Sequence, residues 1–462
     1  MARRRLGRQS IAGSLVALAA VAASPAEAQF EPGSPGVGDP FFPRAGNGGY
    51  DVGAYSLRLR YRPRSDRLTA RARIEATATQ DLSAFDLDYR GPRIRSVRVN
   101  GERARHRRRG QELVIHPRDG LPDGSAFEVR VSYRGEPRSI KDPDGSREGW
   151  FATDDGSVVV AEPQGSPTWF PASDHPTDKA TFRFAITVPR GLKAIANGAL
   201  EERRRRKRWT TFVWSADEPM ATYLATVATG RFLLRRSEEG GVPALTAVDP
   251  RLARKSRKAL GKTGRIVELF SSLFGPYPFG EVGAIVDSAS FIGYALETQT
   301  RPVYDRPPSA VLIAHEIAHQ WFGNSVSVAG WPEIWLNEGF ATWAEWRWQQ
   351  EAGGATTAER FAEEFDTPAS EERFWNPPPA AVAGPDKLFT ASVYTRGAMT
   401  LEALRQQVGD GVFYATMRRW AAEHAYANAT TADFIALAED QSGQQLDELF
   451  AKWLYQPGKP AP

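Results

Sequence analysis

Between residue 50 and about residue 232 the chain repeatedly alternates apolar and polar side chains. Segments 55–61 (YSLRLRY), 127–133 (FEVRVSY) and 182–188 (FRFAITV) put every second residue on one face, the period of a half-buried strand. Beyond a polar stretch at 235–241 the period becomes helical, at 260–274, 310–322, 339–350, 399–407, 412–425 and 446–454. A β-rich block followed by a helix-rich block predicts an α+β protein rather than an interleaved βαβ sheet. Two domains are expected, over 49–238 and 239–462, with no internal repeat.

The N-terminal segment reads as an address. Arg3, Arg4, Arg5 and Arg8 precede an apolar run at 11–23, and Ala26-Glu27-Ala28 supplies a small-x-small cleavage signal. The run falls short of the roughly 20 residues that span a bilayer, and no later run approaches that length. Residues 1–28 are therefore expected to be a signal peptide cleaved after Ala28. The mature chain would be secreted or extracytoplasmic, with no transmembrane segment. Residues 29–48, rich in Gly and Pro, are expected to form an extended lead-in that does not pack.

Composition narrows the chemistry. The 462 residues include no cysteine, which excludes disulfides, a cysteine nucleophile and thiolate metal sites. Lys+Arg number 59 against 55 Asp+Glu, and removing the leader's arginines brings the chain close to neutrality. Two arginine runs, 103–109 and 203–208, lie beside strand-like segments and read as solvated hairpin tips. No aromatic residues interleave within them as stacking platforms, so no nucleic-acid partner is expected.

Of six histidines, two stand in His315-Glu316-x-x-His319, inside an apolar helical pattern. Four residues advance about 400° around a helix, so both imidazoles share one face one turn apart and are able to converge on one ion. Glu316 is better placed to reach a water than to ligate. A zinc ion held this way needs a third protein ligand and an open position. Glu338, in Asn337-Glu338-Gly339, follows His319 after 18 intervening residues, enough for a turn and a second helix. The scarcity of histidine also favours a carboxylate. His106, His116, His175 and His424 have no such context and read as surface or hydrogen-bonded core residues, while Glu345, seven residues past Glu338, reads equally as a partner for one of the ligands or as an exposed helix residue.

These motifs resemble the zinc aminopeptidases of the aminopeptidase N type, a gluzincin family. The resemblance also rests on Phe274-Gly275-Pro276-Tyr277-Pro278-Phe279, Met220-Ala221-Thr222-Tyr223-Leu224, Phe170-Pro171-Ala172-Ser173-Asp174-His175-Pro176 and Tyr394-Thr395-Arg396-Gly397-Ala398, in the family's order. It implies an N-terminal β-rich saddle-like domain and a mainly helical thermolysin-like catalytic domain with one zinc ion per chain. It also implies that Tyr394 donates to the oxyanion. Glu297, in Tyr294-Ala295-Leu296-Glu297-Thr298, would hold the substrate's free α-ammonium, and Glu162, nine residues before Pro171, would share it.

Two departures stand out. Tyr294 replaces the family's glycine and Thr298 its asparagine, which predicts a reshaped first-residue pocket. The chain also ends soon after the catalytic block, without the large C-terminal helical domain that roofs the cleft in longer members of the family, so a more open site is expected. The resulting expectation is a zinc aminopeptidase acting on peptides with a free N-terminus. Its alternatives are a zinc hydrolase without free-amine specificity, endopeptidase or epoxide-opening, and a non-catalytic envelope-binding module using the arginine runs.

Overall fold

The computed structural model describes residues 1–2 and 30–461, so the segment read as an export signal and its cleavage point lie outside the described residues. The alternating segments form an eight-stranded sheet, in spatial order Ala199–Arg206, Trp209–Ala221, Lys179–Pro189, Tyr50–Arg62, Arg67–Ala78, Ala126–Gly135, Arg93–Val99 and Glu102–Arg103. Only Lys179–Pro189 and Tyr50–Arg62 pair in parallel within it. Its apolar positions (Leu57, Leu59, Tyr61, Ile74, Val131, Phe184) are buried. They pack on a five-stranded sheet built from Ser139–Lys141, Arg147–Ala152, Ser157–Val160, Val227–Gly230 and Lys193–Ala196. Tyr61 meets Trp150 at 5.1 Å, and the Tyr133 hydroxyl donates to the Trp169 carbonyl at 2.7 Å.

A third sheet serves the helical half. Leu233–Glu239 pairs with Val242–Val248, which continues through Val282–Val286 and Val303–Tyr304 to the edge strand Ala295–Leu296. The polar stretch 235–241 is therefore the end of the first strand and the turn of a hairpin of this sheet rather than a linker. The helices are α1 Ala253–Leu260, α2 Thr263–Phe274, α3 Ala310–Ala318, α4 Trp335–Glu351, α5 Thr357–Phe365, α6 Glu372–Trp375, α7 Ala391–Val408, α8 Asp410–Glu423, α9 Thr431–Ser442 and α10 Asp447–Phe450. The single helix expected over 260–274 divides at Gly261, and a π-helical turn, Ala451–Tyr455, follows α10. α4 is buried on nearly all sides, from Trp335 and Leu336 through Trp343 to Trp348, the pattern of a central helix. The architecture is α+β as expected, a β-rich part followed by a helical one.

The Gly/Pro-rich segment departs from expectation, because it packs without periodicity. Glu31–Pro32 pairs with Leu82–Ala84, and Phe42 is buried edge-on against Trp331. Asp39 accepts the Trp331 N–H at 2.8 Å and lies 3.3 Å from His175 Nε2. Single anchoring side chains do here what a repeating face does in a strand. The arginine runs are also more than hairpin tips. Arg105–Arg109 is an exposed strand paired with Glu112–His116, and most of the second run lies in the edge strand Ala199–Arg206.

Candidate active site

α3 begins at Ser309, whose hydroxyl accepts the Leu312 N–H, and ends after Ala318. His319 lies just past that end but still donates its N–H to the His315 carbonyl at 3.2 Å, so the one-turn relation between the imidazoles survives. α4 brings in Glu338 from the neighbouring helix. His315 Nε2 lies 3.0 Å from His319 Nε2 and 3.2 Å from Glu338 Oε2, and His319 Nε2 is 3.4 Å from the same oxygen. Around zinc with ligand bonds of about 2.0–2.1 Å, the edge of a tetrahedron is about 3.3 Å. The three atoms fit that ion. Among the described residues this is the one group of three whose ligand atoms gather closely enough to hold a metal.

The far side of each imidazole is fixed. His319 Nδ1 lies 3.0 Å from the Phe322 carbonyl and so carries its proton there, leaving Nε2 free to ligate. His315 Nδ1 lies 2.7 Å from Glu345 Oε1, so Glu345 orients the ring. Although burial acts to raise it, Glu338 is held below the ordinary carboxylate range by the two imidazoles.

Around this triad the cleft gathers carboxylates from three elements. Glu316 is buried, which pushes its pKa up to about 8 against the lowering effect of His315 and His319. Glu297 follows the edge strand Ala295–Leu296. Its carbonyl accepts from Gln320 Nε2 at 3.1 Å and Asn324 Nδ2 at 2.8 Å, both just beyond the His-Glu-x-x-His turn. Glu162 follows the strand Ser157–Val160 of the second sheet. Both side chains are buried, each keeps one carboxylate oxygen without a hydrogen-bond partner, and burial raises both pKa values. After burial, the charge of Glu297 is the next cause of the rise at Glu162. Each thus leaves a buried acidic oxygen whose hydrogen-bonding capacity is unmet.

Tyr394, on α7, stacks on the His315 ring at 6.0 Å with 16° between the planes. Burial first, then the charges of Glu338, Glu162, Glu297 and Glu316, holds its hydroxyl well above the usual phenol range, so it is a proton-bearing donor. The triad atoms converge, Tyr394 lies on His315, and Glu316, Glu297 and Glu162 are near enough to act on the charge of one another.

The two departures from the family pattern resolve differently. The Tyr294 hydroxyl donates to the Arg147 carbonyl at 2.9 Å, tying the edge strand to the second sheet. Thr298 is buried and donates its hydroxyl to the Arg301 carbonyl at 2.6 Å. Sequence reading passed over Gln320, Asn324 and the fully buried Arg301. The Arg301 guanidinium donates to the Ala196 and Gly198 carbonyls at 2.8 and 2.5 Å and locks the loop that follows Glu297 onto the β-rich part. The available signal for the first two was their place just beyond His319, single amides in the stretch Gln320-Trp321-Phe322-Gly323-Asn324.

Comparison with known proteins agrees along the chain. Residues 52–224 match the peptidase M1 N-terminal domain and residues 283–453 the peptidase family M1 domain. Aminopeptidase M1 of Arabidopsis thaliana is 30% identical over 331 residues, 66% of this chain and 37% of that one. Probable aminopeptidase 2 of Sulfurisphaera tokodaii is 26% identical over 411 residues, 81% of this chain and 50% of that one. The chain thus spans half or less of the length of these relatives. An M1 zinc metallopeptidase from Deinococcus radiodurans superimposes with a TM-score of 0.85 at 29% identity, covering 92% of this chain and 99% of that one. A mutant of that protein bound to a Tyr-Ser-Ala substrate matches equally, with a TM-score of 0.85 at 29% identity, 92% of this chain and 98% of that one. With both halves matched in order and the metal-binding triad assembled, the chain belongs to peptidase family M1.

Proposed function

We propose that this protein is a zinc-dependent aminopeptidase that hydrolyses the first peptide bond of peptides with a free N-terminus. The observation that carries the reading is the pair of buried, unpartnered carboxylate oxygens of Glu297 and Glu162 beside the triad. A free α-ammonium supplies the charge and hydrogen bonds they lack; an acylated N-terminus leaves them buried and unpaired. Relatives named as aminopeptidases and a structural neighbour with a bound tripeptide support the same class.

His315, His319 and Glu338 are the residues that would hold the zinc ion, which when bound supplies Lewis acidity toward the attacking water and the scissile carbonyl. Glu316 takes the proton from that water and returns it to the leaving amine, a role suited to a carboxyl titrating near neutrality. Tyr394 keeps its proton and donates to the oxyanion that develops as the carbonyl is attacked. Glu297 and Glu162 hold the ammonium, so that the first peptide bond meets Glu316. Tyr294, bridging to Arg147, helps close the amino end of the cleft, which favours removal of single residues over internal cleavage.

The test is a set of aminoacyl chromogenic substrates, free and N-acetylated, assayed with and without a chelator. Turnover of free substrates alone, abolished by chelation and by Glu316→Gln, is expected. Equal turnover of both forms would overturn the exopeptidase reading, and chelator-insensitive turnover the role of zinc. Residues 1–28 are proposed as an export signal on the strength of their basic start and small-residue cleavage site. N-terminal sequencing of the exported protein should then begin at Gln29.

A further inference from the structure

The eight-stranded sheet has a second face, turned away from the five-stranded sheet that leads to Glu162. On this face the period-two pattern that buries Leu57, Leu59, Ala72 and Val131 projects arginine after arginine. The result is a groove of about 1160 Å³ whose lining contains nine arginines and no acidic side chain. Four of the nine, Arg73, Arg130, Arg183 and Arg204, are paired with glutamates outside the lining. Arg58, Arg60, Arg71, Arg95 and Arg134 are exposed and have no carboxylate partner among the described residues.

Their arrangement is costly without a counter-charge. Arg58 stands directly opposite Arg71 across the antiparallel ladder, a like-charge pairing that disfavours the sheet and that an anion between them relieves. Arg60 lies over the Trp209 ring at 5.5 Å, which holds its guanidinium in place. Between the arginines the floor is made of small hydroxyl-bearing residues, Ser56, Thr69 and Ser132. A concave surface of one sign focuses its field and concentrates anions of opposite charge.

We propose that this groove binds an anionic polysaccharide bearing sulfate or phosphate esters. The guanidiniums supply forked donors for tetrahedral oxyanions, and the hydroxyls supply partners for sugar. The groove is too large for a single inorganic anion. Its one lining aromatic, Tyr133, is buried, and the half-buried Trp209 ring beside the groove is already covered by Arg60 and Arg62, so neither ring offers a base-stacking platform for single-stranded nucleic acid. The exposed large apolar side chains of the described residues all lie elsewhere, so nothing here inserts into a bilayer. This surface is independent of the peptidase reading and survives its failure.

The test is binding of the full chain to heparin, as the sulfated probe, and to phosphomannan, as the phosphorylated one, beside duplex DNA and phosphatidylglycerol vesicles. At five charge contacts, affinity for a polysaccharide is expected to fall about 10²–10³-fold between 50 and 200 mM salt. Arg58→Ser/Arg71→Ser is expected to lower the salt slope by about two. Arg58→Lys/Arg71→Lys keeps the slope, and Arg105→Ser/Arg107→Ser, on the exposed strand outside the groove, changes nothing. Thermal melting and aminoacyl hydrolysis of each variant report its folding. Preference for heparin or for phosphomannan identifies the ester. Tighter binding of DNA or vesicles, salt-independent binding, or loss confined to the Arg105/Arg107 variant would overturn the proposal.

Discussion

Gly339 and Gly397 meet backbone to backbone where α4 crosses α7. A Cβ on Gly339 would lie 2.9 Å from the Gly397 Cα, closer than side chains approach one another. Gly339 follows Glu338, and Gly397 lies one turn beyond Tyr394. The contact therefore sets the distance between the third metal ligand and the proposed oxyanion donor. Gly397→Ala forces the helices apart and is expected to destabilise by about 1–3 kcal/mol, as overpacking does. It should also lower kcat by moving Tyr394 away from His315. Denaturant melts and single-substrate kinetics check both.

Tyr394→Phe separates the hydroxyl from the ring. The stack on His315 is retained, so zinc content and KM should stay close to wild type. kcat should fall on the order of 10²–10³-fold, the scale seen when one oxyanion donor is removed. A rise in KM with unchanged kcat would mean that the hydroxyl serves binding instead.

How much of this was legible from sequence follows from how local each feature is. His315, Glu316 and His319 sit within five residues, so helical periodicity alone converged them. Glu338 required only a turn and a second helix. Tyr394, Glu297 and Glu162 come from distant elements and had no local signal; only a resemblance to a family identified them. The β-then-α division was visible because its two periods differ. The hairpin Leu233–Glu239 with Val242–Val248 was not, because its exposed first strand reads as a polar stretch. The arginine groove escaped for a related reason. Its charges are spread singly over several strands, and the register that aligns them is a property of the sheet.

Glu345 contacts the distal nitrogen of His315, so its loss should loosen the ring rather than remove a ligand. Glu345→Gln is expected to weaken zinc binding about 10–100-fold. Competition with a chromophoric chelator measures this directly. Saturating zinc should restore most of the activity, which loss of a ligand would not allow.

The β-rich part carries its own pH dependence. Burial pushes the Asp178 carboxyl up to about 8, from an ordinary value of 3.8. A raised carboxyl binds more protons in the folded than in the unfolded state between those values. Its contribution to stability is therefore complete below about pH 4 and is lost as pH rises toward 8. The melting temperature should fall between pH 5 and pH 9, and Asp178→Asn, which stays neutral, should reduce that fall. An unchanged slope in the variant would assign the dependence to other groups.

The proposed chemistry depends most on three atoms sharing one ion. Anomalous diffraction at the zinc absorption edge, from crystals grown with equimolar zinc, tests this without reference to activity. The expected result is a single peak per chain, about 2.0–2.2 Å from His315 Nε2, His319 Nε2 and a Glu338 oxygen. A peak elsewhere, or a vacant triad in zinc-saturated crystals, would contradict it.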